Sequence, residues 1–305
     1  MGIVDMKVRI GSAVLPNPVG VASGTFGYGG EYEALIDLSR LGALYTKAIT
    51  LEPRLGNDIP RIVETPAGIL NTIGLANVGV ERFLKEKVPL LQAHGCPVFA
   101  NVAGSTEDEY AEVVTHLETT DALAGYEINV SCPNVKNGGM AFGTDPLQME
   151  RLTSRIRRLT DRPLILKLTP NVTDITVIAR AAEAGGADAL SCINTCVGMV
   201  IDTRKKKPVF AMKTGGLSGP AIRPIGVALT YRVCRAVGIP VIGIGGIMNG
   251  DDALQYMLAG AAAVQVGTGN FIDPHIAESI IEGVERYCAA EGVSSVNELR
   301  LLLNE

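Results

Sequence analysis

A chain of 305 residues, 47% of them hydrophobic and 35 of them glycine, has enough apolar material to bury a full core, and with no low-complexity tract or Pro/Ser-rich linker residues 1–305 are expected to form a single domain. The formal net charge of −5 gives no electrostatic footprint for nucleic acid, and the one basic run, Arg204-Lys205-Lys206-Lys207, reads as a solvated loop. No stretch is long and apolar enough to span a bilayer and the opening MGIVDMKVRIGS has no apolar signal core, so a cytoplasmic location is expected.

Residues Lys7 to Leu15 alternate loosely around a turn at Gly11-Ser12, which predicts a small N-terminal hairpin. Short apolar runs then alternate with helical patterns. The runs are Val19 to Ala22, Ala43 to Thr46, Pro97 to Ala100, Tyr126 to Val130, Leu164 to Leu168, Ala189 to Ile193, Val241 to Ile244 and Ala263 to Val266. Between them lie amphipathic segments such as Glu81 to Ala93, Thr106 to Leu117, Pro146 to Leu159, Val172 to Ala184, Pro220 to Val237 and Asp251 to Leu258. Repeated strand-then-helix order makes a parallel sheet, because parallel strands need crossover connections. Eight such units are the number that closes an α/β (β/α)8 barrel, a TIM barrel; a doubly wound open sheet is the alternative.

A barrel of this kind gathers its chemistry where the strands end. The residues at those ends are Ser23, Lys47, Asn101, Asn129, Lys167, Asn194, the pair Gly245-Gly246 and the pair Gly267-Thr268. Each is polar or is a glycine that bares backbone N–H groups, and a scatter of solvated loop residues would not place two lysines and three asparagines directly after apolar runs. The last two ends, in GIGGIMNGDDA and VGTGNFIDP, set glycines between a strand and a helix. One such loop is as easily a structural turn; two in the seventh and eighth positions point to a phosphate held by backbone amides.

The stretch Tyr126 to Gly143, YEINVSCPNVKNGGMAFG, runs from a strand through Pro133 into a loop with Gly138, Gly139 and Gly143, the composition of a glycine-hinged active-site lid. It delivers Asn129, Ser131 and Cys132 to one strand end. Cys132 on its own could equally be a buried structural thiol. The six cysteines, Cys96, Cys132, Cys192, Cys196, Cys234 and Cys288, lack the paired spacing of zinc or iron–sulfur sites and read as reduced thiols, and no metal site is expected. His94, His116 and His275 fall in or beside helical segments rather than at strand ends.

With these residues in place the chain resembles dihydroorotate dehydrogenase, the flavin enzyme of pyrimidine biosynthesis. The likeness runs from PNPVGVASGTFG at Pro16 to the helix near Tyr287, through TKAIT at Thr46, NTIGLAN at Asn71, INVSCPN at Ile128, KLTPN at Lys167, INT at Ile193, KTGGLSGPA at Lys213 and the two glycine loops. The resemblance implies FMN at the barrel mouth, contacted by Ser23, Lys47, Ala48, Asn101, Asn129, Lys167, Ile193 and Gly219, with its phosphate on Gly245, Gly246, Gly267 and Thr268. It implies a substrate held by Lys47, the loop Asn71, Thr72, Ile73, Gly74 and Leu75, and by Asn129, Asn194 and Thr195. Cys132 is implied as the catalytic base, with Lys47 beside it in the catalytic pair.

The chemistry explains these residue types. Oxidising dihydroorotate removes a proton from C5 and a hydride from C6, and the hydride needs an acceptor that amino acids cannot supply. A cysteine, with a reference pKa near 8.5, can serve as base at mildly alkaline pH without strong tuning. The resemblance also separates subtypes. Membrane-bound relatives resemble one another in an N-terminal helical extension and a serine base, and soluble fumarate-using ones in the loop NSMGLPN where this chain reads NTIGLAN. It therefore implies the NAD-linked type, whose catalytic chain pairs with a subunit carrying FAD and a 2Fe–2S cluster in a heterotetramer of two catalytic and two electron-transfer chains. A dihydropyrimidine dehydrogenase catalytic chain, with SCPHG in place of SCPNVKNGG, is the nearest rival within the fold, and a non-catalytic phosphate-ligand-binding barrel the rival outside enzymology. Cys192 and Cys196 flank Asn194-Thr195 and are expected to be packing residues.

Overall fold

A computed structural model describes residues 4–130 and 142–304. Val8–Ile10 and Ala13–Leu15 pair antiparallel around Gly11-Ser12, forming the expected hairpin. The eight apolar runs all become strands: Val19–Val21, Ala43–Tyr45, Val98–Val102, Gly125–Asn129, Leu164–Leu168, Ala189–Cys192, Val241–Ile244 and Ala263–Val266. Each lies parallel beside the next in chain order, and the eighth pairs with the first through Val264–Val19 and Val266–Val21, so the sheet closes as a barrel. Being covered by helices outside and filled by side chains inside, such strands read as continuous apolar runs rather than alternating ones. All five residues of Leu164–Leu168 are buried, and all four of Val241–Ile244 and Ala263–Val266.

The crossover helices start where short polar side chains cap them. Thr106, Asp145, Asp174 and Asn249 each accept a hydrogen bond from a backbone N–H one turn in, at 2.9 to 3.1 Å, which satisfies donors that a helix start leaves orphaned. The expected helix Glu81 to Ala93 is not uniform. It runs as Val80–Arg82, a π-helical stretch Phe83–Lys87, and Val88–Leu91. Pro89 has no N–H to give the carbonyl four residues back, and the wider spacing before it accommodates that loss. The segment Pro220 to Val237 likewise divides, into a 3-10 turn Pro220–Ile222 and the helix Arg223–Cys234. Among the described residues no helix is long and apolar enough to cross a membrane.

Over the strand ends lies an antiparallel sheet that the apolar pattern did not reveal. Its order is Cys196–Gly198, Gly215–Ser218, Gly68–Asn71 and Ile62–Thr65. The segments come from the loops after the second and sixth barrel strands, and Leu70, 1% exposed, pairs with Leu217. Residues 204–207 of the basic run are exposed as expected, and the small ladder of Ile201–Asp202 with Lys207–Pro208 closes the turn that carries them.

Candidate active site

The strand-end residues fall into two clusters at one mouth. In the first, Asn129 on strand four stands beside Lys167 on strand five in the parallel register. Asn194, just past strand six, donates from Nδ2 to Asn129 Oδ1 at 3.2 Å, while its backbone N–H bonds to Leu168 O at 2.8 Å. Ile193 is buried across a cis Cys192–Ile193 peptide, its N–H on Ile244 O. The overlying sheet brings in the rest. Asn71 pairs with Gly216 and donates to its carbonyl at 3.1 Å, and a β-carbon on Gly216 would collide with the Thr195 hydroxyl. Asn71 and Thr195, 124 positions apart in sequence, are thereby neighbours of one glycine. The turn after Asn71 is held from outside: Asn57 Nδ2 bonds to Thr72 Oγ1 at 2.8 Å, Asn57 N to Ile73 O at 3.1 Å, and Gly74 and Leu75 take positive φ of 72° and 55°.

The second cluster gathers the two glycine-rich strand ends. Gly219, Gly246 and Thr268 meet: a β-carbon at Gly246 would lie 2.6 Å from Gly219 O, one at Gly219 would lie 3.4 Å from Thr268 Cγ2, and Thr268 Oγ1 bonds to Ser218 Oγ at 2.8 Å. The Tyr256 hydroxyl donates to Gly245 O at 2.7 Å, and the 4%-exposed Asp252 side chain holds both the Arg223 guanidinium and the Met248 N–H, so the Gly245-Gly246 turn is fixed from behind. Gly267 differs in kind. Among the described residues a β-carbon there would meet nothing closer than Ala22 Cβ at 3.7 Å, so no described residue walls that face. Ser23 follows Ala22, whose N–H bonds to Val266 O at 2.7 Å, which sets Ser23 beside Gly267.

The two lysines occupy different electrostatic settings. Lys47 is partly exposed after strand two, fixed by its backbone N–H on Gly27 O, and forms no ion pair among the described residues. The neighbouring Ala48 is buried beneath it, next to Ile49, which bonds to Asn101 O. Lys167 is 5% exposed and pairs with Glu127 at 3.4 Å. Glu127, fully buried on strand four, also receives Asn101 Nδ2, Ser191 Oγ and Gln265 Nε2. Burial, and then the Glu127 charge, push the Tyr45 phenol beside this group well above its ordinary range, so it stays neutral. None of Glu127, Ser191 and Gln265 was expected at the site; their signal is a polar residue inside an otherwise apolar run, in YEIN, ALSC and AVQV.

Cys132, Ser131, Gly138 and Gly139 lie outside the described residues, and with them most of the expected lid. Burial pushes Cys96, Cys192 and Cys234 up to about 12 and raises Cys196 and Cys288 as well, so the five described thiols are held in the neutral form at neutral pH. Cys192 is fully buried, while the partly buried Cys196 sits in the overlying sheet against Leu217.

The site has the polar groups that a phosphorylated, ring-bearing cofactor needs. Asn101 is fully buried, yet among the described residues its Oδ1 has no hydrogen-bond partner, and neither has Gln265 Oε1. Buried polar atoms are normally satisfied, and an orphaned acceptor on Asn101, whose amide shares Glu127 Oε2 with Lys167, fits a bound group that donates to it. The open amide face at Gly267 and the Thr268 hydroxyl fit its phosphate.

The sequence profile described as dihydroorotate dehydrogenase matches residues 5–287. A chain from Geotalea daltonii is 52% identical over 295 residues, covering 97% of both chains, and one from Desulforamulus reducens is 51% identical over 296 residues, again 97% of both. A third, from Trichlorobacter lovleyi, is 52% identical over 96% of this chain and 97% of its own. All three carry the name dihydroorotate dehydrogenase B (NAD(+)), catalytic subunit.

Proposed function

The chain belongs to the dihydroorotate dehydrogenase family, and from that premise we propose that it is the FMN-bearing catalytic subunit of an NAD-linked enzyme that oxidises (S)-dihydroorotate to orotate in pyrimidine biosynthesis. The observation that carries this reading is the meeting of Lys47, Asn129, Lys167, Asn194 and the Asn71 turn at one barrel mouth, beside a glycine-built anion cluster.

FMN would be held by Ser23, Lys47, Ala48, Asn101, Asn129, Lys167, Ile193 and Gly219, with the phosphate on Gly245, Gly246, Gly267 and Thr268. When bound it supplies the acceptor for the C6 hydride, which no side chain can replace. The chain's own residues do the remainder. Lys47, which forms no ion pair among the described residues, attracts the substrate carboxylate. Asn71, Asn129 and Asn194 offer amide donors and acceptors along the edge of a planar ring, and the mutual Asn129–Asn194 bond fixes which end of each amide is presented. The backbone of Thr72, Ile73, Gly74 and Leu75 and the Thr195 side chain close the remaining edge. Cys132, three positions beyond the end of strand four, takes the C5 proton as a thiolate. The five other cysteines, including Cys196 in the sheet over the mouth, are held neutral by burial, which supports this thiol as the one suited to the task.

Electrons leave to a second subunit carrying FAD and a 2Fe–2S cluster, in an assembly of two catalytic and two electron-transfer chains. The chain has no second strand-turn-helix with a spare GxGxxG to seat a dinucleotide. The test is an assay of NADH absorbance with dihydroorotate. The purified chain should be yellow and reduce artificial dyes, yet reduce NAD only when the iron–sulfur subunit is added. Robust NAD reduction by the chain alone would sink the two-subunit reading, efficient turnover with fumarate would move it to the other soluble type, and a colourless chain that FMN cannot reconstitute would overturn the cofactor assignment.

A further inference from the structure

Barrel interiors are ordinarily filled by layers of branched apolar side chains. In this barrel the layer under the mouth holds a carboxylate instead. Glu127 is 0% exposed and accepts from four strands: Asn101 Nδ2 on strand three at 2.5 Å, Lys167 Nζ on strand five at 3.4 Å, Ser191 Oγ on strand six at 2.8 Å and Gln265 Nε2 on strand eight at 2.8 Å. The bonds are divided evenly, Asn101 and Lys167 on Oε2, Ser191 and Gln265 on Oε1. All four partners are donors, the arrangement that an ionised carboxylate requires. Stability alone does not account for such a group, because replacing a buried ion pair by apolar residues of similar volume is often neutral or stabilising.

Two of the four partners, Asn101 and Lys167, belong to the set assigned to the cofactor. Since Asn101 turns its NH2 to Glu127, its Oδ1 is the end left without a partner among the described residues, so the carboxylate dictates that this amide offers an acceptor. Lys167 has three N–H donors and Glu127 uses one, which fixes the ammonium while leaving it hydrogens to give. The negative charge also offsets the positive charge that Lys167 brings to the mouth. Lys47, by contrast, has no such counterweight among the described residues.

We propose that Glu127 is a positioning residue that orients Asn101 and Lys167 toward the cofactor and, by neutralising Lys167, sets the redox balance of the bound flavin. The proposal rests on the FMN reading above. With Glu127 present the ammonium favours the electron-rich form of the flavin only weakly; with the carboxylate neutralised it favours that form at full charge.

The experiment is spectroelectrochemical titration of the FMN-loaded Glu127→Gln protein, with FMN affinity measured by adding FMN to flavin-free protein. Glutamine keeps the volume, and its NH2 can face Ser191 and a flipped Gln265 amide, whose Oε1 is otherwise unpartnered. Reduced FMN should bind about tenfold more tightly relative to oxidised FMN than in the parent, a positive shift of about 30 mV for a two-electron couple. Glu127→Gln/Lys167→Gln, which removes both charges, should return toward the parent potential. Glu127→Asp, which keeps the charge and shortens the reach, should lose stability while its potential stays near the parent. A group that served packing alone would move stability in Glu127→Gln and Glu127→Asp and the potential in neither, so an unmoved potential in yellow Glu127→Gln protein overturns the proposal. If Glu127→Gln does not fold, Lys167→Gln is compared with the double variant, and equal potentials there overturn it. Parent protein that binds no FMN is a separate outcome and removes the FMN reading itself.

Discussion

Gly267→Asp should give folded protein that is colourless, with FMN binding weakened on the order of a thousandfold. A β-carbon at Gly267 would lie no nearer than 3.7 Å to any described protein atom beyond its chain neighbours, so an added carboxylate acts chiefly on whatever lies in that face. If that is a phosphate, a carboxylate about 4 Å from it costs roughly 4 kcal/mol per charge pair at an effective dielectric near 20, and about 1.4 kcal/mol is tenfold in affinity. Gly267→Ala, adding bulk without charge, should lose far less. The measurement is FMN titration of flavin-free protein alongside a thermal melt. Stoichiometric FMN with parent affinity in the aspartate variant would require moving the phosphate site. Gly246, the other obvious target, does not separate the two causes: with φ at 65° and Gly219 O at 2.6 Å from any β-carbon, its side chain would disturb the protein before it met a ligand.

That contrast shows what the sequence can and cannot convey. Both glycines follow an apolar strand and precede a helix, and both read as bare amides waiting for an anion. Only the folded chain distinguishes a glycine required by its own neighbour from one that leaves room. The barrel itself was legible because parallel strands buried on both faces leave uninterrupted apolar runs; Leu164–Leu168, Val241–Ile244 and Ala263–Val266 coincide with the expected segments to the residue. Closure then placed Lys47, Asn129, Lys167 and Asn194 at one end without further information.

The sheet over the mouth was harder to see. Ile62–Thr65 and Gly68–Asn71 form a hairpin around Pro66-Ala67, and IVETPAGILN carries a readable turn signal. Its partners Gly215–Ser218 and Cys196–Gly198 carry almost none, because glycine-rich segments of three or four residues have no apolar period to detect. The polar hub around Glu127 was invisible for a different reason. Its four bonds span 26, 40, 64 and 138 positions, and only the strand order of a closed barrel brings those distances together. A lone glutamate in an apolar run carries no indication of what faces it.

Cys132→Ala should retain FMN and still bind orotate, yet lose turnover by roughly 10²–10⁴-fold, the usual worth of a positioned base. Strand four ends at Asn129, an amide already bonded to Asn194 at the barrel mouth, and the chain reaches Cys132 three positions later. A base here must be deprotonated near neutral pH, and burial raises every described cysteine above its ordinary value, Cys96, Cys192 and Cys234 to about 12. In those five the neutral thiol persists at neutral pH, and the thiolate appears only as pH rises through the raised value. None is a base at pH 7. Cys132→Ser should be slow and recover in part at high pH, since a hydroxyl surrenders its proton far less readily than a thiol of reference pKa near 8.5. Orotate formation is followed by absorbance across pH, with flavin content and orotate binding measured on the same samples. Near-normal turnover of the alanine variant at neutral pH would place the base elsewhere at the mouth.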